Sequence, residues 1–124
     1  MKRLLVLLVI LALCRATIAQ VVNDNIEHRI PLQINASPYT STTANCTVDR
    51  ACISEALEGN CVKFHNDQWF WFKTGAAGTY YLNVSGQDCR DILGVQLMVI
   101  DGIPCQPETY QLVSCASLAS QDDI

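Results

Sequence analysis

The run Trp69-Phe70-Trp71-Phe72 constrains this chain more than any other stretch. In an extended backbone successive side chains point to opposite faces, so the two indoles share one face and the two phenyl rings the other. Both faces then have to be covered, at least in part. This favours a strand inside a two-layer structure over one edge of a lone hairpin, which would leave aromatic surface in water. The run opens a longer stretch, Asn66 to Cys115, that reads as four strand-like segments separated by Gly, Asp and Pro and holds most of the large apolar side chains.

The first of these segments is Asp67 to Lys73. After the small-residue turn Thr74 to Thr79, Tyr80, Leu82 and Val84 alternate with Tyr81, Asn83 and Ser85, which predicts a second strand paired antiparallel with the first. A loop over Gly86 to Gly94 follows. Val95 to Ile100 is almost continuously apolar, as a central strand covered on both sides would be, and Asp101-Gly102 ends it. Pro104, Cys105 and Pro107 stiffen the next turn, and Thr109 to Ser114 gives the fourth strand.

The chain begins with a segment of another kind. Lys2 and Arg3 precede the apolar run Leu4 to Leu13, and small residues lead to Ala19, the layout of a secretory signal peptide cleaved after Ala19. The apolar run is far shorter than the roughly 20 residues a membrane-spanning helix needs. A lipoprotein reading of Leu13-Cys14 is weaker, because the residue before the cysteine is not small and Arg15 follows it. The expected organisation is a signal peptide over 1–19, a lead-in over 20–28 that joins the domain only near its end, and a β-sandwich domain over 29–124. The expected location is outside the cell or on its surface, with no membrane contact after the signal is removed.

Loss of the leader removes three of the eight basic residues, leaving five against twelve acidic ones, a formal charge of −7. Such a domain has no electrostatic footprint for nucleic acid or anionic lipid. Six of the seven cysteines remain: Cys46, Cys52, Cys61, Cys89, Cys105 and Cys115. An even number in an exported chain of this size reads as a disulfide framework of up to three bridges, with all six cysteines expected to be oxidised. Local pairs within the Cys46, Cys52, Cys61 group and the Cys89, Cys105, Cys115 group are favoured, and if all six pair, at least one bridge must join the two groups.

Within the lead-in and the residues after it, Ile30, Leu32 and Ile34 alternate with Pro31, Gln33 and Asn35. Pro31 cannot donate a ladder hydrogen bond, so this is an edge strand or a strand beginning. Ala36 to Asn45 reads as a loop or a loosely paired strand, and Asp49 to Leu57 as one or two helical turns stopped by Gly59-Asn60. The count is five clear strands, fewer than the seven or so of a usual sandwich.

The order NDNIEHRIPLQINASPYT, NCTVDRAC, GNC, NDQWFWFKTGAAGTYYLNVSGQDC, then GVQLMVIDG with PC and LVSC, resembles domains of large secreted and surface proteins of Bacteroidetes related to the pre-peptidase C-terminal β-sandwich. The resemblance spans about Asn23 to Asp123. It rests on an Asn-Asp approach to a short Ile/Leu strand, the aromatic strand with Trp69, Phe70 and Phe72, and a Tyr-rich strand running from Tyr80 to Cys89. It implies an all-β, antiparallel, jelly-roll-like β-sandwich that is noncatalytic. In the domains it resembles, the segment matching Gln121-Asp122-Asp123 leads into closing strands, which this sequence lacks.

The search for chemistry is brief. His28 and His65 each stand alone in polar sequence, and no HExxH, GxSxG, phosphate-cradling loop or CxxC spacing occurs. Asp88, Asp91, Asp101, Asp122 and Asp123 match no calcium loop, so no metal and no cofactor are expected. Trp69, Trp71 and Tyr81 are the candidates for a stacking surface. Asn45-Cys46-Thr47 and Asn83-Val84-Ser85 satisfy the glycosylation sequon, Asn83 being the poorer acceptor if it lies in a strand. The expected function is therefore a binding or spacer module for a glycan or protein ligand. The alternatives are a small secreted hydrolase or inhibitor, and a fragment of a larger surface protein with an open sheet edge prone to self-association.

Overall fold

The computed structural model describes residues 21–55, 57, 62–63, 66–89 and 94–117. Over them the chain is a small all-β domain with two sheets and the disulfide Cys52–Cys105. One sheet pairs β1 (Ile30–Pro31) with β2 (Phe70–Trp71) in parallel, and the other pairs β3 (Gln96–Asp101) with β4 (Gln111–Ser117) antiparallel. Single 3₁₀ turns lie at Ile26–His28 and Pro107–Thr109. Among the described residues no helix is long and apolar enough to cross a membrane.

The aromatic run is indeed the hub, but its partners differ from those expected. Trp69 donates its N–H to the carbonyl of Asn23, and its own carbonyl accepts from both Asn23 Nδ2 at 3.1 Å and the Ile30 N–H. Leu32 N–H then bonds the Trp71 carbonyl at 2.8 Å. Ile30 and Leu32 thus donate toward β2 while Pro31, which has no N–H, falls between them, so the edge assignment for Pro31 holds. Tyr80 to Ser85 forms no ladder, although the sequence alternates as a strand should. Alternation shows that a strand could half-bury a segment and does not supply a partner; here Ile30–Pro31 pairs with the aromatic strand, and the Tyr80 hydroxyl turns back to the Ala76 carbonyl at 2.6 Å. Asn83 is consequently exposed and outside any strand.

Polar residues lie at the centre of the packing. Asn23 is 0% and Asp24 2% exposed, more buried than any described hydrophobic side chain. The lead-in therefore joins the domain at its start. Burying such groups is tolerable only when they are hydrogen-bonded. The Asp24 carboxylate accepts from Thr47 N–H and, at 2.8 Å, from Thr47 Oγ1. Asp49 Oδ2 accepts from Ile26 N–H, and Thr47 O accepts from Asp67 N–H. Three segments distant in sequence, 23–26, 47–49 and 67–69, are clamped together this way. Ile26, Cys46, Cys52, Ile53 and Val62 supply the apolar filling.

The strands of the second sheet fall within three residues of where the sequence places them, but β3 is not the central strand covered on both sides that its apolar run predicts: among the described residues it has one partner, β4, and its side chains are half-buried or exposed. Val99 pairs with Ser114 and Ile100 with Leu112, so Val113 is passed over in a β-bulge and is 64% exposed. Tyr110, just before β4, folds its hydroxyl onto the Cys105 N–H at 2.9 Å, and Thr109 Oγ1 accepts from Ile103 N–H. These bonds shape the connection into a rigid corner. Gly102 within it has φ +152°, and a Cβ there would stand 2.8 Å from Tyr110 Cδ1. Only glycine fits that close approach.

The disulfide joins the two cysteine groups and is not one of the local pairs that the spacing favours. Cys115 is disulfide-bonded as well. Cys46, expected to be oxidised with the other five, is instead a free, buried thiol, so the six do not all pair. The Cys89 thiol donates to Gln87 Oε1 at 3.9 Å.

Candidate aromatic cleft

Where the first sheet meets the corner before β4, a cleft of about 100 Å³ is lined by Arg29, Trp69, Trp71, Ile100, Pro104 and Tyr110 among others. Each wall has a traceable origin. The β2 backbone, held by Asn23 and β1, presents the indoles; the 3₁₀ turn Ile26–His28 delivers Arg29; the glycine corner brings in Tyr110. Phe70 meets Tyr39 edge-on at 5.6 Å and 70°, a T-shaped pair that ties the 36–45 loop to the strand. Gln68 Nε2 adds bonds to Ser41 Oγ and the Thr42 carbonyl.

Trp71 is 45% exposed, whereas Trp69 is half-buried and its Nε1 atom is buried with no hydrogen-bond partner. Of the three residues expected to form a stacking surface, Trp69 and Trp71 meet at this cleft. Tyr81 is 86% exposed and does not line it. Arg29 and Tyr110 are the residues that sequence reading missed. No local pattern marks them, because they come from turns brought to β2 by long-range pairing.

Arg29 is the charged group of the cleft. Its Nη1 donates to the Ile26 carbonyl at 3.0 Å, and it makes no ion pair with the described residues. Burial pushes the Tyr110 hydroxyl above its ordinary value of 10.0, opposed in part by its bond to the Cys105 N–H. Tyr110 is therefore a neutral wall at physiological pH.

A second hollow, about 310 Å³, is lined by Val21, Val22, Asp24, Asn25 and His28. It brings a histidine near a carboxylate, the arrangement a hydrolase would need. Both carboxylate oxygens of Asp24 accept from Thr47, however, and His28 Nδ1 is bonded to Asn25 Oδ1 at 2.9 Å. A base is oriented for catalysis by a partner on one ring nitrogen, so the Asn25 contact would set the tautomer without supplying a charge.

The remaining candidates are dispersed. Among the described residues no group of three or more His, Cys, Asp or Glu is placed to hold a metal ion. His65, Cys61, Asp91, Asp122 and Asp123 lie outside the described residues. Asn45 is exposed with φ 66°, and the hydroxyl of its sequon partner Thr47 is engaged by Asp24. Compared with family models, curated proteins and solved structures, the chain matches none.

Proposed function

We propose that this chain is a noncatalytic binding module, secreted or held at the cell surface, that uses the cleft beside Trp71 to contact a glycan or protein ligand. The observation that carries this reading is the half-exposed side chain of Trp71 beside a guanidinium that has no ion-pair partner among the described residues. Aromatic and arginine side chains are the groups most enriched where proteins hold partners. In this reading the two sheets belong to a jelly-roll-like sandwich of the kind seen in the surface proteins whose motifs the sequence resembles. The disulfide Cys52–Cys105 suits an oxidising compartment. The test is secretory expression of the full chain, a glycan and peptide binding screen, and the same screen on Trp71→Ala. Binding lost in the variant supports the reading, and a folded chain that binds nothing refutes it.

The hollow at His28 favours one rival, a small secreted hydrolase. It predicts turnover of an ester, amide or glycoside that is abolished by His28→Ala. The engagement of Asp24 by Thr47 and of His28 by Asn25 weighs against it.

A further inference from the structure

We infer that the cleft takes the carboxylate of an acidic glycan, with Arg29 gripping a hexuronate residue whose ring rests on Trp71. The inference rests on the binding reading above and gives it a ligand class. Size argues first. At about 100 Å³ the cleft falls well short of the roughly 300 Å³ at which pockets begin to enclose small molecules. It receives one compact group while the rest of the ligand lies outside, on the surface.

Charge argues next. Arg29 is half-buried and spends one donor on the Ile26 carbonyl, leaving most of the five N–H donors of a guanidinium for another acceptor. The rigid fork of a guanidinium matches a carboxylate with two parallel hydrogen bonds. A neutral ligand would cover this cation without pairing it, which costs free energy. The chain as a whole is acidic, at −4, so it offers no long-range attraction to an anion, and recognition has to come from Arg29 itself.

The platform selects the class of acid. Trp71 offers a flat, electron-rich face, 45% exposed, to the weakly positive C–H groups of a sugar ring. An aspartate or glutamate side chain of a peptide would satisfy Arg29 but has no ring to lay on the indole. A hexuronate carries both groups on one ring, a short bond path apart.

Titration calorimetry of the full chain with trigalacturonic acid and with its fully methyl-esterified, neutral counterpart tests this. The acid is expected to bind at least about tenfold more tightly than the ester. Arg29→Gln removes that preference, Arg29→Lys restores part of it by keeping the charge without the fork, and Trp71→Ala weakens both trimers. Urea unfolding of each variant checks that the fold is retained. Equal binding of acid and ester, unchanged in Arg29→Gln, overturns the role of Arg29 and leaves the aromatic binding reading standing. Failure of both trimers to bind a folded chain overturns the glycan assignment, as does Arg29-dependent capture of a glutamate-rich peptide in their place. The binding reading itself falls only if the wider screen also finds nothing that depends on Trp71.

Discussion

Replacing Asp24 by alanine would remove a carboxylate that is 2% exposed and accepts from both the N–H and the hydroxyl of Thr47. Hydrogen bonds to a charged group contribute about 1.5–3 kcal/mol each, so the pair is worth up to about 6 kcal/mol before the cost of burying the carboxylate is returned. A net loss of about 3 kcal/mol follows, much of it from the Thr47 N–H left without an acceptor. Asp24→Asn is the informative companion. Its amide oxygen can still accept from one Thr47 group, and its NH₂ can donate to the Thr47 hydroxyl once that hydroxyl reverses. Both bonds survive in neutral form at about half the strength, which costs about 1–2 kcal/mol. The assay is urea unfolding at neutral pH followed by tryptophan fluorescence, since Asn23, the neighbour of Asp24, is bonded to the Trp69 backbone. With a slope of about 1.5 kcal/mol per molar urea, the alanine variant unfolds about 2 M earlier. A shift under about 0.5 M, or a larger loss for asparagine than for alanine, would refute the view that this clamp holds the lead-in to the domain.

Three further outcomes follow from the corner and the thiols. Gly102→Ala places a Cβ at φ +152° against Tyr110 and costs about 1–3 kcal/mol in the same assay, with no loss expected if the corner can relax. Burial, reinforced by the neighbouring Asp24 carboxylate, holds the Cys46 thiol above its ordinary 9.0, so the folded chain keeps a proton that the unfolded chain releases. Stability therefore falls as pH rises past about 9, more steeply in the parent than in Cys46→Ser, which urea midpoints at about pH 8 and pH 10 will show. Alkylation without reduction should label Cys46 slowly in the native chain and fast in urea; rapid native labelling would contradict its burial.

The second sheet was legible from sequence because it is local: the apolar run ending at Asp101-Gly102 and the Tyr110, Leu112 alternation lie on either side of a short, proline-stiffened corner. The aromatic run was legible as the hub and as the source of Trp69 and Trp71. Its pairing was not, since Ile30–Pro31 is too short to announce a partner and the tyrosine segment offered a better local pattern. Asn23 and Asp24 were misleading for a physical reason. Polar residues in a leading segment look solvated until the groups that satisfy them, Thr47 and the Trp69 backbone, are known. Arg29 was unreadable on the same ground, because its meaning depends on which turn stands beside β2.

The clamp between the leading segment and the aromatic run also sets an order of events during synthesis. Asn23 is bonded to a residue 46 positions later, and the disulfide joins cysteines 53 positions apart. At about 5–20 residues per second, the ribosome needs about 2–9 s after Asn23 to reach Trp69. For that interval Asn23 and Ile30 lack the strand they bond to, although Asp24 and Ile26 meet Thr47 and Asp49 sooner. The first part of the domain to be made is thus not fixed as it emerges, and its docking waits on synthesis of the aromatic run instead of following translation residue by residue.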